Sequence, residues 1–175
     1  CIVLASISES SEKTNKQLAE YVGKHSEKMV GFAIFDPRTD DVHVKKVAAI
    51  TDKIGLKGVV LYCADQGFHP AHSRAMRFYE AAEKLGLPVF FHNGRQNSSN
   101  SIMNYAQPYL IDEIARAFPK LKIIIGTMGV PFVEQTILMV GKHDNVFADL
   151  TVKTGKVWQI YNMIVSAYEN GVMNK

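Results

Sequence analysis

Short runs of apolar residues alternate with helical patterns along the whole chain. Six of these runs are apolar at most positions and are rich in β-branched and aromatic residues. This pattern is typical of parallel strands that are buried on both faces. The predicted strands are 1–6, 29–35, 57–62, 88–92, 121–126 and 146–149.

The segments between the predicted strands carry apolar residues at helical spacing. The first predicted helix contains Leu18 and Val22 and follows a cap at Thr14 or Asn15. Proline near the first turn and glycine beyond the last turn are the expected helix boundaries. Later helices are predicted around Val44, Val47 and Thr51, around Met76, Tyr79 and Ala82, from Pro108 to Phe118, from Pro131 to Gly141, and from Val157 to Gly171.

A repeated strand–helix–strand order implies a parallel sheet with right-handed crossovers. The nucleotide-binding glycine fingerprints that accompany many open α/β sheets are absent after every predicted strand. A complete eightfold barrel usually needs about 250 residues, and this chain has 175. We therefore predict one α/β domain over residues 1–175 with six βα units in a parallel sheet. The sheet is either an incomplete TIM-barrel-like (β/α) barrel or an open doubly wound sheet, and the missing fingerprints take away the commonest support for the open sheet.

Composition narrows the possible partners. Hydrophobic residues make up 47% and charged residues 21%, as in ordinary globular domains. The formal charge is +3, with no basic stripe, so a nucleic-acid partner is not expected. No apolar run is long enough to span a membrane. Cys1 and Cys63 do not form a disulfide framework, which predicts a reducing, cytoplasmic location.

The first residue is cysteine and lies directly in an apolar run. From this start we expect the sequence to be the inside of a longer polypeptide, with a lipoprotein cysteine as the weaker alternative.

Candidate chemistry lies past the carboxyl ends of the predicted strands, where parallel α/β folds place functional residues. His92 ends an apolar strand and precedes an Asn-Gly turn, so it is either a structural cap or a site residue. The following polar segment, 93–107, contains Arg95 and is either a functional loop or a surface loop. Tyr62 and Asp149 end two other predicted strands, and Thr127 directly follows a third.

Other reactive residue types have simpler interpretations. The remaining five histidines lack ligand spacing, and Cys63 has no histidine beside it in the sequence, which favours a small buried residue. Asp36, Pro37 and Arg38 form a possible turn that fixes a strand end. Asp149 is a ligand, a carboxylate that orients a ligand, or a cap for the following turn.

Five segments of the chain resemble the amidohydrolase-related family, of the amidohydrolase 2 type, in their order and spacing. They read GFAIFDPR, KGVVL followed by FHP, YEAA through LGLPVFFH, FPKLKIIIG, and NVFADLT. In sequence numbers they are 31–38, 57–61 with 68–70, 79–92, 118–126 and 145–151. The match extends over essentially the whole chain.

This resemblance implies a TIM-barrel-like (β/α) fold, here incomplete. It also implies an enzyme that hydrolyses or decarboxylates small carboxylate-bearing or cyclic substrates and uses a divalent metal such as zinc. The family's ligands are an HxH-type pair on the first strand, histidines on the fifth and sixth strands, and an aspartate on the eighth. The six strands correspond to the second through the seventh, and His92 matches the fifth-strand histidine. Thr127 stands at the sixth-strand position, where a neutral hydroxyl is a poor ligand.

Three functional alternatives follow. The first is a metal-dependent hydrolase or decarboxylase, with Tyr62, Arg95, Thr127 and Asp149 as substrate-binding candidates, since an arginine suits a carboxylate. The second is a catalytically inactive relative that binds a small molecule or a partner. The third is assembly into a homo-oligomer, because the first and last strands would be unpaired edges that two copies could cover.

Overall fold

The computed structural model describes residues 1–7, 10–92, 99–151 and 155–175. Its six strands form one parallel sheet in chain order, which confirms the predicted fold class. The sheet is a curled half-barrel, open between its first and last strands. The strands are β1 (Ile2–Leu4), β2 (Val30–Ile34), β3 (Gly58–Leu61), β4 (Val89–Phe91), β5 (Ile123–Ile125) and β6 (Val146–Ala148).

Helices follow each strand. They are α1 (Ser11–Gly23), α2 (Val44–Asp52), α3 (Cys63–Gln66), α4 (Ser73–Lys84), α5 (Asp112–Ala117), α6 (Val133–Lys142) and α7 (Val157–Glu169). Tight helical turns occupy Met103–Ala106 and Pro108–Ile111, and the second continues directly into α5. All six predicted helices are present. The four-residue α3 was not predicted, because one helical turn has no detectable periodicity.

The two faces of the sheet carry different cores. One face packs against the helices, and its core contains Val59, Leu61, Tyr79 and Ile123. The concave face is filled by a smaller cluster that includes Phe32, Val60, Tyr62 and Phe90. Alternate residues of each strand point to opposite faces, so nearly continuous apolar runs are what a sheet with two buried faces requires.

The start of α1 differs from the prediction. Ser10 is the cap, and its Oγ accepts a hydrogen bond from the Lys13 N–H at 3.3 Å. Asn15 lies inside the helix and is buried, where its amide pairs with both backbone groups of Ile34, at 2.8 Å and 3.0 Å. Because β1 ends at Leu4, these buried backbone groups need a partner other than a strand. The asparagine is therefore a substitute strand partner and not a cap.

Two details near the end of the chain also differ. Gly141 lies inside α6, whose last residue is Lys142, so the glycine does not end the helix. In α7, within the helix predicted from Val157 to Gly171, Tyr161 and Tyr168 are exposed, whereas Met163 and Ala167 are buried. This helix is apolar on several sides, and its periodicity alone does not identify the buried face.

Strands β1 and β6 are the two edges of the sheet, as the sequence predicted. On the outer side of β6 the Ala148 N–H donates to the carbonyl of Lys175 at 3.2 Å. Among the helices of the described segments, none is both long enough and apolar enough to cross a membrane.

Candidate functional site

Polar side chains follow the strands along one edge of the sheet. Because the strands are parallel and adjacent, their carboxyl ends meet at this edge. Asp36, Tyr62, His92, Thr127 and Asp149 come directly after β2 to β6 or within two residues of them. We call this edge the strand-end site. Arg95 lies outside the described residues, and its predicted role in substrate binding stays a prediction.

His92 follows β4 directly and is half-buried. Its backbone N–H donates to the Leu61 carbonyl at 2.9 Å, which continues the ladder between β3 and β4. The imidazole stacks at a tilt of 33° on the ring of Tyr62, with 4.6 Å between the ring centroids. The predicted site histidine therefore has a side chain that packs against a buried aromatic ring.

Tyr62 is itself held at two points. Its hydroxyl donates to the Ala5 carbonyl, just beyond β1, at 2.8 Å. Its backbone N–H donates to Oε1 of Gln66 at 3.0 Å. Since the hydroxyl proton is used within the fold, the ring face is what Tyr62 presents beside His92. Substrate binding by Tyr62 remains a prediction, and it would involve the ring.

The segment after β2 is a closed turn, as expected for Asp36, Pro37 and Arg38. The Asp36 carboxylate accepts the Arg38 N–H at 3.0 Å and pairs with the Arg38 guanidinium at 2.8 Å. Asp40 Oδ2 accepts the Asp36 N–H at 2.8 Å, and burial raises the pKa of the Asp40 carboxyl. Arg74 of α4 donates to the Pro37 carbonyl at 2.7 Å. These polar groups mainly satisfy one another.

The segment after β5 has an unusual backbone. Thr127 and Met128 have φ of 52° and 49°, in the left-handed region, and Gly129 follows with φ of 66°. Positive φ is uncommon for residues other than glycine and is a genuine outlier for a β-branched residue such as threonine. Backbone strain of this kind costs of order 1–3 kcal/mol and persists where neighbouring groups enforce it.

Asp149 supplies the neighbouring groups. Its Oδ2 accepts the Thr127 N–H at 2.8 Å, and its Oδ1 accepts the Thr151 N–H at 2.6 Å. Its backbone carbonyl accepts the Met128 N–H at 2.9 Å. The expected cap for the following turn is confirmed, and the same carboxylate also holds the turn after β5. Substrate binding by Thr127 and Asp149 stays a prediction.

These strand ends do not form a metal site by themselves. Within residues 1–7, 10–92, 99–151 and 155–175, no three histidine, cysteine, aspartate or glutamate side chains are grouped so that they could hold a metal ion. Residue 127 offers a neutral hydroxyl, and both Asp149 carboxylate oxygens already accept backbone N–H groups. His92 is the single imidazole at the strand ends that the structure describes.

Other histidines and the buried cysteine have structural surroundings. His143 Nε2 lies 2.7 Å from the Asp112 carboxylate, which Lys142 also contacts. His72 caps α4, because its Nδ1 accepts the Arg74 N–H at 3.2 Å. Cys63 is buried, and burial raises the pKa of its thiol, so it is a poor nucleophile.

One packing feature of the long loop was not predicted. Beyond the polar start of this loop, the Ser101 hydroxyl donates to the Asp65 carboxylate, and the Ile102 N–H donates to the Ala64 carbonyl at 2.9 Å. Both acceptors lie in α3, the short helix that has no sequence signal. The second half of the loop is therefore attached beside the Tyr62 end of the site.

The chain was compared with protein-family models, curated sequences and solved structures. A family model described as Amidohydrolase matches residues 7–170. No curated protein sequence matches the chain. Among solved structures, an uncharacterised TIM-barrel protein from Bordetella bronchiseptica has a TM-score of 0.66 at 18% identity, over 85% of this chain and 53% of that one.

Two further solved structures are of proteins named for an activity. A probable 2-pyrone-4,6-dicarboxylic acid hydrolase from Acinetobacter baumannii, with citric acid bound, has a TM-score of 0.65 at 13% identity. It matches over 98% of this chain and 63% of that one. The 5-carboxyvanillate decarboxylase from Novosphingobium aromaticivorans, complexed with manganese, has a TM-score of 0.56 at 16% identity. It matches over 75% of this chain and 44% of that one. The chain thus spans about half the length of these solved relatives, and the likeness shows the fold.

Proposed function

Because the chain belongs to the amidohydrolase family, we propose that the protein is a hydrolase or decarboxylase acting on a small carboxylate-bearing or cyclic substrate. The observation that carries the proposal is the position of His92. It follows the fourth strand of the half-barrel and lies half-buried against Tyr62. The sequence resemblance implies that it corresponds to the family's fifth-strand histidine.

The substrate class rests on the relatives and on charge. Two of the solved relatives are named as enzymes that act on a dicarboxylic acid and on a carboxylated aromatic, and the first of them has citric acid bound. A carboxylate substrate needs a cationic partner, and Arg95 in the polar loop is the predicted candidate. The Tyr62 ring face beside His92 would pack against an apolar or aromatic part of such a substrate.

A divalent metal bound in this family would lower the pKa of a bound water or polarise a carbonyl. A catalytic zinc site needs about three protein ligands. His92 is one suitable ligand, and Thr127 and Asp149 do not complete the set. Metal-dependent turnover would therefore require ligands in addition to the strand-end groups described above. His92 can also orient a substrate carboxylate by hydrogen bonding.

A second candidate function is ligand binding without turnover. The observation that favours it is the end of β5, where a hydroxyl stands at the position of a family histidine and the neighbouring carboxylate holds backbone N–H groups. His92 and Tyr62, with Arg95 as the predicted cationic partner, could still bind a small carboxylate, since binding does not depend on a metal.

Turnover and binding assays separate the two candidates. Purified protein is incubated with small aromatic and cyclic carboxylates, with and without added Mn²⁺ or Zn²⁺, while CO₂ release and ultraviolet absorbance are followed. We expect turnover that His92→Ala abolishes and that the matched variant His25→Ala, outside the site, leaves intact. Saturable binding of a carboxylate by calorimetry with no turnover would support the second candidate, and neither binding nor turnover would contradict both.

A further inference from the structure

The two carboxylate oxygens of Asp149 accept N–H groups from two different turns. One turn follows its own strand and the other follows β5. We propose that Asp149 is a positioning residue, whose carboxylate holds residue 127 in a left-handed conformation, next to the Met128 N–H that its backbone carbonyl accepts, and so fixes the residue beside His92 at the strand-end site. The proposal rests on the proposed function only for identifying that site.

Asp149 is anchored firmly enough for this role. Its N–H donates to the Ile125 carbonyl at 3.0 Å, and its carbonyl accepts the Met128 N–H at 2.9 Å. These bonds fix its backbone to both sides of the turn. The side chain then reaches back to the Thr127 N–H at 2.8 Å, so three of its four hydrogen-bonding groups hold the segment 125–128.

The local sequence does not explain the turn. Glycine, asparagine, aspartate and histidine tolerate the left-handed region, whereas a β-branched residue is disfavoured there. Thr127 has φ of 52° and ψ of 40°, and Met128 has φ of 49° and ψ of 29°. An interaction from outside the segment must enforce this conformation, and charge-assisted hydrogen bonds from a carboxylate to backbone N–H groups are strong enough to do so.

The register makes the turn relevant to the site. Phe91 of β4 lies opposite Ile125 of β5, so His92 is level with Gly126 and residue 127 is one position beyond. A backbone fixed from Asp149 places residue 127 independently of its own side chain. The placement of residue 127 therefore depends on a carboxylate that directly follows the next strand.

The test uses the metal-free protein and nuclear magnetic resonance. One-bond Cα–Hα couplings distinguish positive from negative φ, and we expect positive φ at Thr127 and Met128 in the unmodified chain. Asp149→Ala should abolish the positive-φ signature at Thr127, whose N–H loses its carboxylate acceptor. Adding Thr127→Gly to Asp149→Ala should restore positive φ at residue 127, because glycine adopts the left-handed region without steric cost. A residue with only a general structural role would not give this rescue.

Asp149→Asn provides a milder variant if Asp149→Ala does not fold. One amide oxygen can replace only one of the two carboxylate acceptors. We expect at least a tenfold loss of hydrogen-exchange protection at the Thr127 or Thr151 N–H. Asp41→Ala is the matched control, since Asp41 accepts the His43 N–H at 3.0 Å in the same local pattern but holds no left-handed turn. This control should leave the couplings at residues 127 and 128 unchanged.

Positive φ at Thr127 in folded Asp149→Ala, or unchanged exchange protection in Asp149→Asn, would overturn the proposal. Neither measurement involves a substrate or a metal. Failure of the proposed function would appear as absent turnover with these spectroscopic signatures intact, so the two failures are distinguishable.

Discussion

The two halves of the strand-end site are built by different interactions. After β3 and β4, Tyr62 and His92 are placed by ring stacking and by a tyrosine hydroxyl bonded to the end of β1. After β5 and β6, Thr127 and Asp149 are placed by bonds to backbone N–H groups. The first half depends on the identity of its side chains. In the second half the bonds go to backbone N–H groups, so we expect the turn to tolerate a different side chain at position 127.

The largest expected effect comes from Gly129, which completes the backbone turn of the second half. Its φ is 66°, and an added Cβ would collide with the Thr136 side chain and lie 2.8 Å from Cγ of Pro108. Gly129→Ala should lower the free energy of unfolding by about 3 kcal/mol, from left-handed strain together with overpacking. Denaturation by urea measures this change.

Gly55→Ala is the matched control for that variant. Gly55 also has positive φ, 82°, but no atom among the described residues lies within 4 Å of its added Cβ. Only the left-handed strain of about 1–2 kcal/mol remains there. Equal losses for the two variants would show that packing around Gly129 does not support the turn.

A histidine at position 127 tests whether the two halves share one site. Thr127→His should raise the affinity for Zn²⁺ at least tenfold, or about 1.4 kcal/mol, because His92 then has a second imidazole near it. The turn should persist, since histidine is enriched at positive φ. Calorimetric titration with Zn²⁺ measures the affinity.

The gain in Zn²⁺ affinity should disappear when His92→Ala is added to Thr127→His. The control variant Thr39→His, at an exposed turn, should not raise the Zn²⁺ affinity. An unchanged affinity in Thr127→His would mean that the two halves do not face a common ligand.

Tyr62 gives a smaller expected effect in the first half. Tyr62→Phe removes the hydroxyl that donates to Ala5 and should lower the free energy of unfolding by about 1 kcal/mol. The stacked ring remains, so the ring-proton shifts of His92 should change little. Tyr62→Leu should move these shifts toward unstacked values. Proton–carbon spectra of the histidine rings provide the measurement, and identical spectra for both variants would exclude stacking as the interaction that orients His92.

Asp112 lies outside the strand-end site, and its carboxylate is bound, within the described segments, by cationic side chains and not by backbone N–H groups. Hydrogen bonds from Lys142 and then His143 lower the pKa of Asp112. Stabilisation from this lowered pKa is present above the unfolded value of about 4 and is lost as pH falls through the folded value. Asp112→Asn should cost less than about 1 kcal/mol at pH 7, because the pair is partly exposed.

The difference in free energy of unfolding between the unmodified chain and Asp112→Asn should become smaller as the pH is lowered from 7 to 2. Lys142→Met should remove most of the pH dependence that distinguishes Asp112→Asn. A difference that stays constant in acid would assign the stabilisation to packing and not to charge.

The sequence predicted the elements that periodicity controls. All six strands and their alternation with helices follow from apolar runs and helical spacing, and His92 was found because it ends such a run. The strand bounds in the structure are shorter than the apolar runs. For example, β1 spans Ile2–Leu4 and β2 spans Val30–Ile34, within the longer predicted runs 1–6 and 29–35.

The sequence did not predict interactions between residues far apart in the chain. Asn15 reads as a cap from its neighbours, and its pairing with Ile34 depends on where β1 ends. Thr127 carries no local sign of a left-handed backbone, since its partner Asp149 lies after the next strand. Arg95 and the substrate-binding roles of Tyr62, Thr127 and Asp149 stay predictions.

The chain order of the sheet has a consequence for how the protein is made. Each strand pairs with the strand before it and the strand after it, with no exchange of order along the described sheet. Contacts between consecutive units keep the sequence separation of paired strands low for a parallel sheet, and such topologies fold faster than those dominated by distant pairings. A ribosome releases the amino-terminal unit first. Every newly released strand then meets its partner already in place, so the half-barrel can grow unit by unit during synthesis.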